Sequence, residues 1–231
     1  MAIDWKDIEV RITADGSTTL YRKDLDETYH STHGALQEAR HVFIENGLKL
    51  FSSDSEIRVL EIGLGTGLNA LLSLLYSIEN RKHVFYDALE AYPLPEVIWT
   101  QVNYNQLLDN PKSLHYFNLL HQYEWNVLQD WSDHFKIRKI NTCLEDFSPE
   151  LDLYDVIYFD AFGPRAQEEM WHAEHLKKLY DSLKTNGFLV TYCAKGSFKR
   201  DLKALGFVVR SVAGPPGKRE MTQAWKQKDH A

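Results

Sequence analysis

Residues 59–72 read VLEIGLGTGLNALL, an apolar strand that runs through Gly63, Gly65 and Gly67 straight into an apolar helix. Glycines let the backbone approach a ligand closely, and a helix N-terminus presents free N–H groups, so the turn is a candidate nucleotide-type site. Its spacing narrows the choice. A Walker loop requires Gly-Lys-Ser/Thr, which is absent, and a dinucleotide fingerprint has its third glycine three positions after the second rather than two. Outward from the turn, strands are predicted over 57–62, 83–89, 136–141, 156–160 and 187–193. Helices are predicted over 33–50, 68–78, 168–184 and 196–205, with two or three more within 95–134. That alternation implies βαβ units, hence an α/β, Rossmann-like fold with a mostly parallel sheet. The last two strands, around Val208 and Thr222, are joined by AGPPGKRE with no helix and are therefore antiparallel. Asp15-Gly16 between 8–12 and 17–21 marks a β-hairpin. The expected organisation is an N-terminal hairpin extension over 1–30 and one α/β domain over 31–231.

Composition sets the outer limits. Of 231 residues, 44% are hydrophobic and 26% charged, ordinary values for a globular chain with a substantial core. The first residues do not read as a signal peptide, and no apolar run reaches the roughly 18 residues of a membrane span. Two cysteines, Cys143 and Cys193, make no disulfide framework and fit a reducing cytoplasm. Net charge is −7, which argues against a general nucleic-acid binder, but it is unevenly spread. Residues 195–231 hold nine Lys/Arg against three acids, a net +6, leaving −13 on the first 194. Such asymmetry points to an anionic partner at one end, against the plainer reading of a solvated face.

Acidic residues recur at strand ends. Glu61 precedes the turn to give E-x-G-x-G-x-G, which resembles the first motif of class I S-adenosylmethionine (SAM) methyltransferases, with Asn69 opening the helix. Glu90, 23 residues after Gly67, ends the second strand, where an acid can accept both ribose hydroxyls. Asp87 competes for that role. Asp146 follows the third strand, where SAM enzymes often keep an acid for the adenine amino group, and Phe147 or Leu144 is expected to cover the purine. Asp160 ends the fourth strand, beside the expected methyl group. Open α/β sheets bind ligands at this carboxyl edge. His172 and His175 lie three apart but have no cysteine or carboxylate cluster, so no metal is expected.

Three further motifs are more specific. Asp160-Ala161-Phe162-Gly163-Pro164 with Met170-Trp171, Gly65-Thr66-Gly67-Leu68-Asn69, and Gly217-Lys218-Arg219-Glu220-Met221 together resemble the methyltransferase module of the bacterial MnmC family, bifunctional enzymes that complete 5-methylaminomethyl-2-thiouridine in tRNA. YHSTHGALQEARHVFIENG, with Tyr29 and Glu38, is similar to that family's entry segment. The resemblance runs over roughly residues 25–225. It implies SAM-dependent N-methylation of a 5-aminomethyl group on the wobble uridine of tRNA, with Tyr29 and Glu38 joining the cofactor site. It also implies a functional link to the enzymes that install the aminomethyl group. The family's flavin-dependent oxidase is expected to be missing, and Gly163 with Arg165-Ala166-Gln167 departs from the commoner loop. Asp160 then either orients the target amine or holds the cofactor's ammonium; the residues alone leave both open. Phe162 and Trp171 are candidates to stack on an extruded uridine, and Lys218 and Arg219 to contact phosphate. The rival readings are a small-molecule amine N-methyltransferase or polyamine aminopropyltransferase, and a non-catalytic RNA-binding module with a vestigial SAM site.

Overall fold

Runs such as IRVLEI and YDVIYF carry apolar side chains on both faces, the pattern of strands covered by helices on both sides. The computed structural model describes residues 5–52 and 56–227. Residues 1–4 of the expected N-terminal extension, and Lys228 and Asp229 of the basic stretch, lie outside the described residues. A first sheet is formed by β1 (Ile8–Ile12), β2 (Thr18–Arg22) and β3 (Glu27–Thr28), all antiparallel. The hairpin expected from Asp15-Gly16 therefore gains a short third strand. The second sheet contains β4 (Ile57–Ile62), β5 (Val84–Leu89), β6 (Leu128–Ser132), β7 (Phe135–Ile140), β8 (Tyr154–Phe159), β9 (Leu183–Thr191), β10 (Val208–Ala213) and β11 (Glu220–Trp225).

Their order is β10-β11-β9-β8-β4-β5-β7-β6. The five strands from β9 to β7 are parallel, whereas β11 is antiparallel to both its neighbours and β6 is antiparallel to β7. This is a Rossmann-like methyltransferase fold, mostly parallel, with the antiparallel C-terminal strand that the helix-free connection requires. The chain steps from β4 to β5 and β7 on one side, then crosses to β8 and β9 on the other. Between β4 and β8 lies the topological switch point.

Helices α1 (Ala35–Ala39), α2 (Leu68–Glu79), α3 (Glu96–Trp99), α4 (Tyr104–Leu107) and α5 (Ser113–Gln122) belong to one side, and α6 (Ala173–Ser182) and α7 (Gly196–Ala204) to the other. Two apolar clusters result: one holds Leu20 of β2 with Phe43, Leu71, Tyr86 and Tyr158, the other Leu60 and Ile157 with Trp171, Leu176 and Phe198.

Two elements differ from the sequence reading. The helix expected over 33–50 is regular only through Ala39, then widens into a π-helical turn over Arg40–Glu45. There the Phe43 carbonyl accepts the hydroxyl of fully buried Tyr158 at 2.7 Å, which supplies that polar group with a partner inside the core. Residues 128–132, expected within a helical region, form the edge strand β6. Its half-exposed sequence LQDWS carries little periodic signal, and pairing with β7 decides its conformation.

Candidate active site

Four strand ends meet at the switch point. The Gly63 and Leu64 amides donate to the Leu89 carbonyl, the Asp160 amide to Ile62, and the Glu90 amide to Ile140, so β4, β5, β7 and β8 finish at one level. Gly63 has φ +89°, and a Cβ there would stand 3.1 Å from the Asp160 carbonyl oxygen. Gly67, at φ +75°, caps α2, and a Cβ would collide with Leu120 of α5. These two glycines let the turn fold flat between β8 and α5.

Above the turn opens a cavity of about 370 Å³, within the range of small-molecule sites. Gly63, Gly65, Glu90, Leu144, Asp160 and Phe162 line it. Its opposite wall comes from the N-terminal sheet and the segment after it: Arg22, Asp24, Leu25, Tyr29 and His30. Glu90 is fixed by two backbone donors, Gly65 N–H to Oε2 and Tyr92 N–H to Oε1, both 2.8 Å. Burial raises its pKa, opposed by those hydrogen bonds. Asp87, its competitor in sequence, points away: it accepts a bidentate pair from Arg138 at 2.8 Å and the Tyr154 hydroxyl at 2.8 Å.

Asp160 and Glu61 share one partner. The Asn69 amide nitrogen donates to Glu61 Oε1 at 2.9 Å and to Asp160 Oδ2 at 2.8 Å. Burial pushes both carboxyls well above the usual range, with Asn69 pulling the other way. Glu61 raises no wall of the cavity; it stands behind Asp160 and, through Asn69, fixes where that carboxyl points. Among the described residues, buried Asn69 Oδ1 has no hydrogen-bond partner.

Tyr29 and Phe162 meet edge to face with centroids 4.9 Å apart, and Tyr29 packs over Gly65. Buried His30 shares Thr66 Oγ1 with Tyr104, at 2.8 and 3.1 Å, and burial lowers its pKa to about 4, leaving it neutral. Sequence reasoning did not single out Arg22, Asp24, Leu25 or His30. Nothing in their local pattern marks them, because a separate sheet carries them to the cavity.

Several expected site residues lie elsewhere. Asp146 is exposed and accepts from the Cys143 thiol at 3.0 Å, and Phe147 lines a second, shallow hollow with Arg138 and Tyr154. The chain turns back on itself here, the Phe147 amide donating to Cys143, and it is Leu144 that faces the cavity. Trp171 is core: it is 7% exposed and edge-on to Phe159 and Phe198, and its indole N–H donates to the Phe162 carbonyl at 2.9 Å. It buttresses Phe162 and is closed to stacking on a base. Glu38 and Lys218 pair with each other at 2.9 Å outside the cavity, beyond Asp160, and Arg219 is exposed on the same turn. Among the described residues no group of three or more His, Cys, Asp or Glu could hold a metal, and no helix is long and apolar enough to cross a membrane.

A family described as S-adenosyl-L-methionine-dependent methyltransferase matches residues 104–227. The chain belongs to this family. A Methanocaldococcus jannaschii protein is 29% identical over 219 residues, which cover 93% of this chain and 58% of that protein. The tRNA 5-methylaminomethyl-2-thiouridine biosynthesis bifunctional protein MnmC of Cupriavidus metallidurans is 28% identical over 237 residues, covering 92% of this chain and 34% of its own length. The crystal structure of MnmC2 from Aquifex aeolicus superposes with a TM-score of 0.75 at 25% identity, covering 94% of this chain and 69% of that one. The chain thus spans about a third of the MnmC protein and less than three-fifths of the Methanocaldococcus protein. The family's cofactor, SAM, carries an adenine, a ribose diol, and an amino acid with an ammonium group. A glycine turn and two carboxylates around about 370 Å³ suit those groups in size and hydrogen-bonding sense.

Proposed function

We propose that this chain N-methylates the 5-aminomethyl group of the wobble uridine in tRNA, giving 5-methylaminomethyl-(2-thio)uridine. One observation carries the reading: the likeness to MnmC and to MnmC2 covers more than nine-tenths of the chain. The work is assigned to the cytoplasm, after the enzymes that install the aminomethyl group. When bound, SAM supplies an electrophilic methyl on sulfonium. The acceptor nitrogen must present a free lone pair, and an alkylamine with a Lys-like pKa of about 10 is mostly protonated in water. The aromatic pair Tyr29 and Phe162 lowers local polarity and favours the neutral amine.

In this reading Gly63, Gly65 and Gly67 let the cofactor's amino-acid end lie against the turn. Glu90 retains free lone pairs for both ribose hydroxyls, and Leu144 takes the purine face. Asp160, oriented by Asn69 and Glu61, accepts an N–H of the acceptor and leaves its lone pair directed at the methyl carbon. With SAM bound, an N–C bond would form as the sulfonium's C–S bond breaks, and the surplus proton would leave the resulting secondary ammonium. Asp160's raised pKa suits it to receive that proton. Arg219, with exposed Lys195 and Arg200 on the same basic stretch, supplies phosphate contacts.

The test is transfer of labelled methyl from SAM to tRNA lacking this modification, with nucleosides resolved by mass spectrometry. Methylaminomethyluridine is expected. Its absence, or equal transfer to free polyamines, overturns the assignment.

A further inference from the structure

Lys218 sits in an unusual setting for a residue on a surface turn. Its Nζ is 2.9 Å from Glu38 Oε1 and 3.9 Å from the centroid of the Tyr192 ring. Carboxylate on one side and aromatic face on the other is the arrangement that recognises alkylammonium ions. Both walls are anchored without Lys218. Glu38 is only 7% exposed, and its second oxygen accepts the Ser31 amide at 2.7 Å. The Tyr192 hydroxyl donates to the Ala161 carbonyl at 2.8 Å. Lys218 itself is attached differently. It follows Gly217, its amide donates to Pro215 within one tight turn, and its side chain is 35% exposed. A rotation about its own side-chain bonds carries the ammonium to solvent and leaves the cage standing.

The cage adjoins the cofactor cavity. Ala161, which holds Tyr192, lines that cavity next to Asp160. Glu38 and Lys218 are both close enough to act electrostatically on Asp160, in opposite senses. An ammonium in the cage is therefore within electrostatic reach of the Asp160 carboxyl.

We propose that the Glu38–Tyr192 cage is where the acceptor's primary amine first docks, as its ammonium, before it passes to Asp160 in the cavity, and that Lys218 is a displaceable plug that fills the cage until an amine-bearing substrate arrives. This deepens the preceding reading and rests on it for the identity of the acceptor, not for the presence of the cage. An anionic scaffold attached to that amine gives the displaced Lys218 a new partner, so that entry of the amine and release of the plug favour one another. Glu38 thereby belongs to the acceptor side of the site rather than to the cofactor side.

The test uses methylammonium as the probe, with neither tRNA nor SAM present, and follows binding to the full chain by NMR titration. Lys218→Ala is expected to bind methylammonium about tenfold more tightly than the unsubstituted protein, the scale of one carboxylate ion pair together with one cation–π contact. Lys218→Ser gives a second opened cage should the alanine variant fold poorly. The gain should vanish in the Glu38→Gln/Lys218→Ala double variant. Lys218→Met, which refills the cage with an uncharged chain, should show none. Equal binding by Lys218→Ala or Lys218→Ser and the unsubstituted protein overturns the proposal, as does a gain that survives Glu38→Gln. Because no tRNA is used, methylammonium binding without tRNA methylation removes the uridine assignment and keeps the cage. Methylation of tRNA without the methylammonium gain does the reverse.

Discussion

The two walls of the cavity are built on opposite principles. The floor consists of strand ends of the parallel sheet, where Gly63, Glu90 and Asp160 follow β4, β5 and β8 and are tied by backbone hydrogen bonds to neighbouring strands. The roof, from Arg22 to His30, is contributed by a small antiparallel sheet that shares no strand pairing with the floor. Its Leu20 sits in the main apolar cluster and its Thr18 bonds to Asn103, and two further attachments hold it near the lips and the back of the cavity. One is the buried knot of His30, Thr66 and Tyr104; the other is Arg165, whose guanidinium reaches Asp26 Oδ2 at 3.4 Å and Glu27 Oε2 at 3.3 Å in the open. The contrast teaches that backbone pairing within one sheet sets the floor, while side chains that meet across two sheets set the roof.

The strongest way to break this contrast is to disturb the floor's backbone. Gly67→Val adds a branched side chain at φ +75° against Leu120 and should cost more than about 3 kcal/mol, seen as a lowered denaturation midpoint. A similar loss from valine at exposed Gly16, which also has positive φ but nothing within 4 Å, would erase the distinction.

The roof's knot is next. His30 has a folded pKa of about 4 against 6.5 unfolded, so its contribution is fully present above pH 6.5 and is lost as pH falls from 6.5 towards 4. The full loss is about 3 kcal/mol by the usual conversion. His30→Gln should flatten the slope of unfolding free energy against pH in that window, measured by urea titration. An unchanged slope would mean that the knot opens before the fold does.

Substitution at the floor's chemistry comes third. Asp160→Asn keeps the shape but not the charge, and should lower methyl transfer about a hundredfold while changing SAM affinity far less. Equal losses in turnover and in calorimetric SAM binding would make Asp160 a cofactor residue instead. Smallest is the roof's outer latch. Arg165→Ala removes exposed ion pairs and should leave the denaturation midpoint nearly unchanged, yet raise KM by loosening the lip. A large stability change would show the roof to be as rigid as the floor.

The floor was legible and the roof was not, for a physical reason. Strand, glycine turn and helix are local patterns, and the acids at their ends inherit a location from the parallel sheet. Glu90 could be preferred over Asp87 because only the end of a strand opens to the crevice, and Asp87 is indeed spent on Arg138 and Tyr154. Asp146 and Phe147 lie beyond the same kind of strand end, but a tight turn without periodicity rotates them away and presents Leu144. For Trp171 an aromatic beside a site was compatible with either stacking or packing, and Phe159 and Phe198 both pack against it in the core.

By itself the sequence determined the alternating fold, the antiparallel final strand, the glycine turn that follows β4 and the acids that follow β5 and β8. Each of these is set by residue periodicity or by backbone conformations that only certain residues adopt. Tertiary structure alone decided that residues 22–30 close the cavity, that Trp171 is buried, and that Lys218 spans 180 positions to meet Glu38. Those contacts arise from the packing of separate elements, and no spacing along the chain encodes which surfaces will meet.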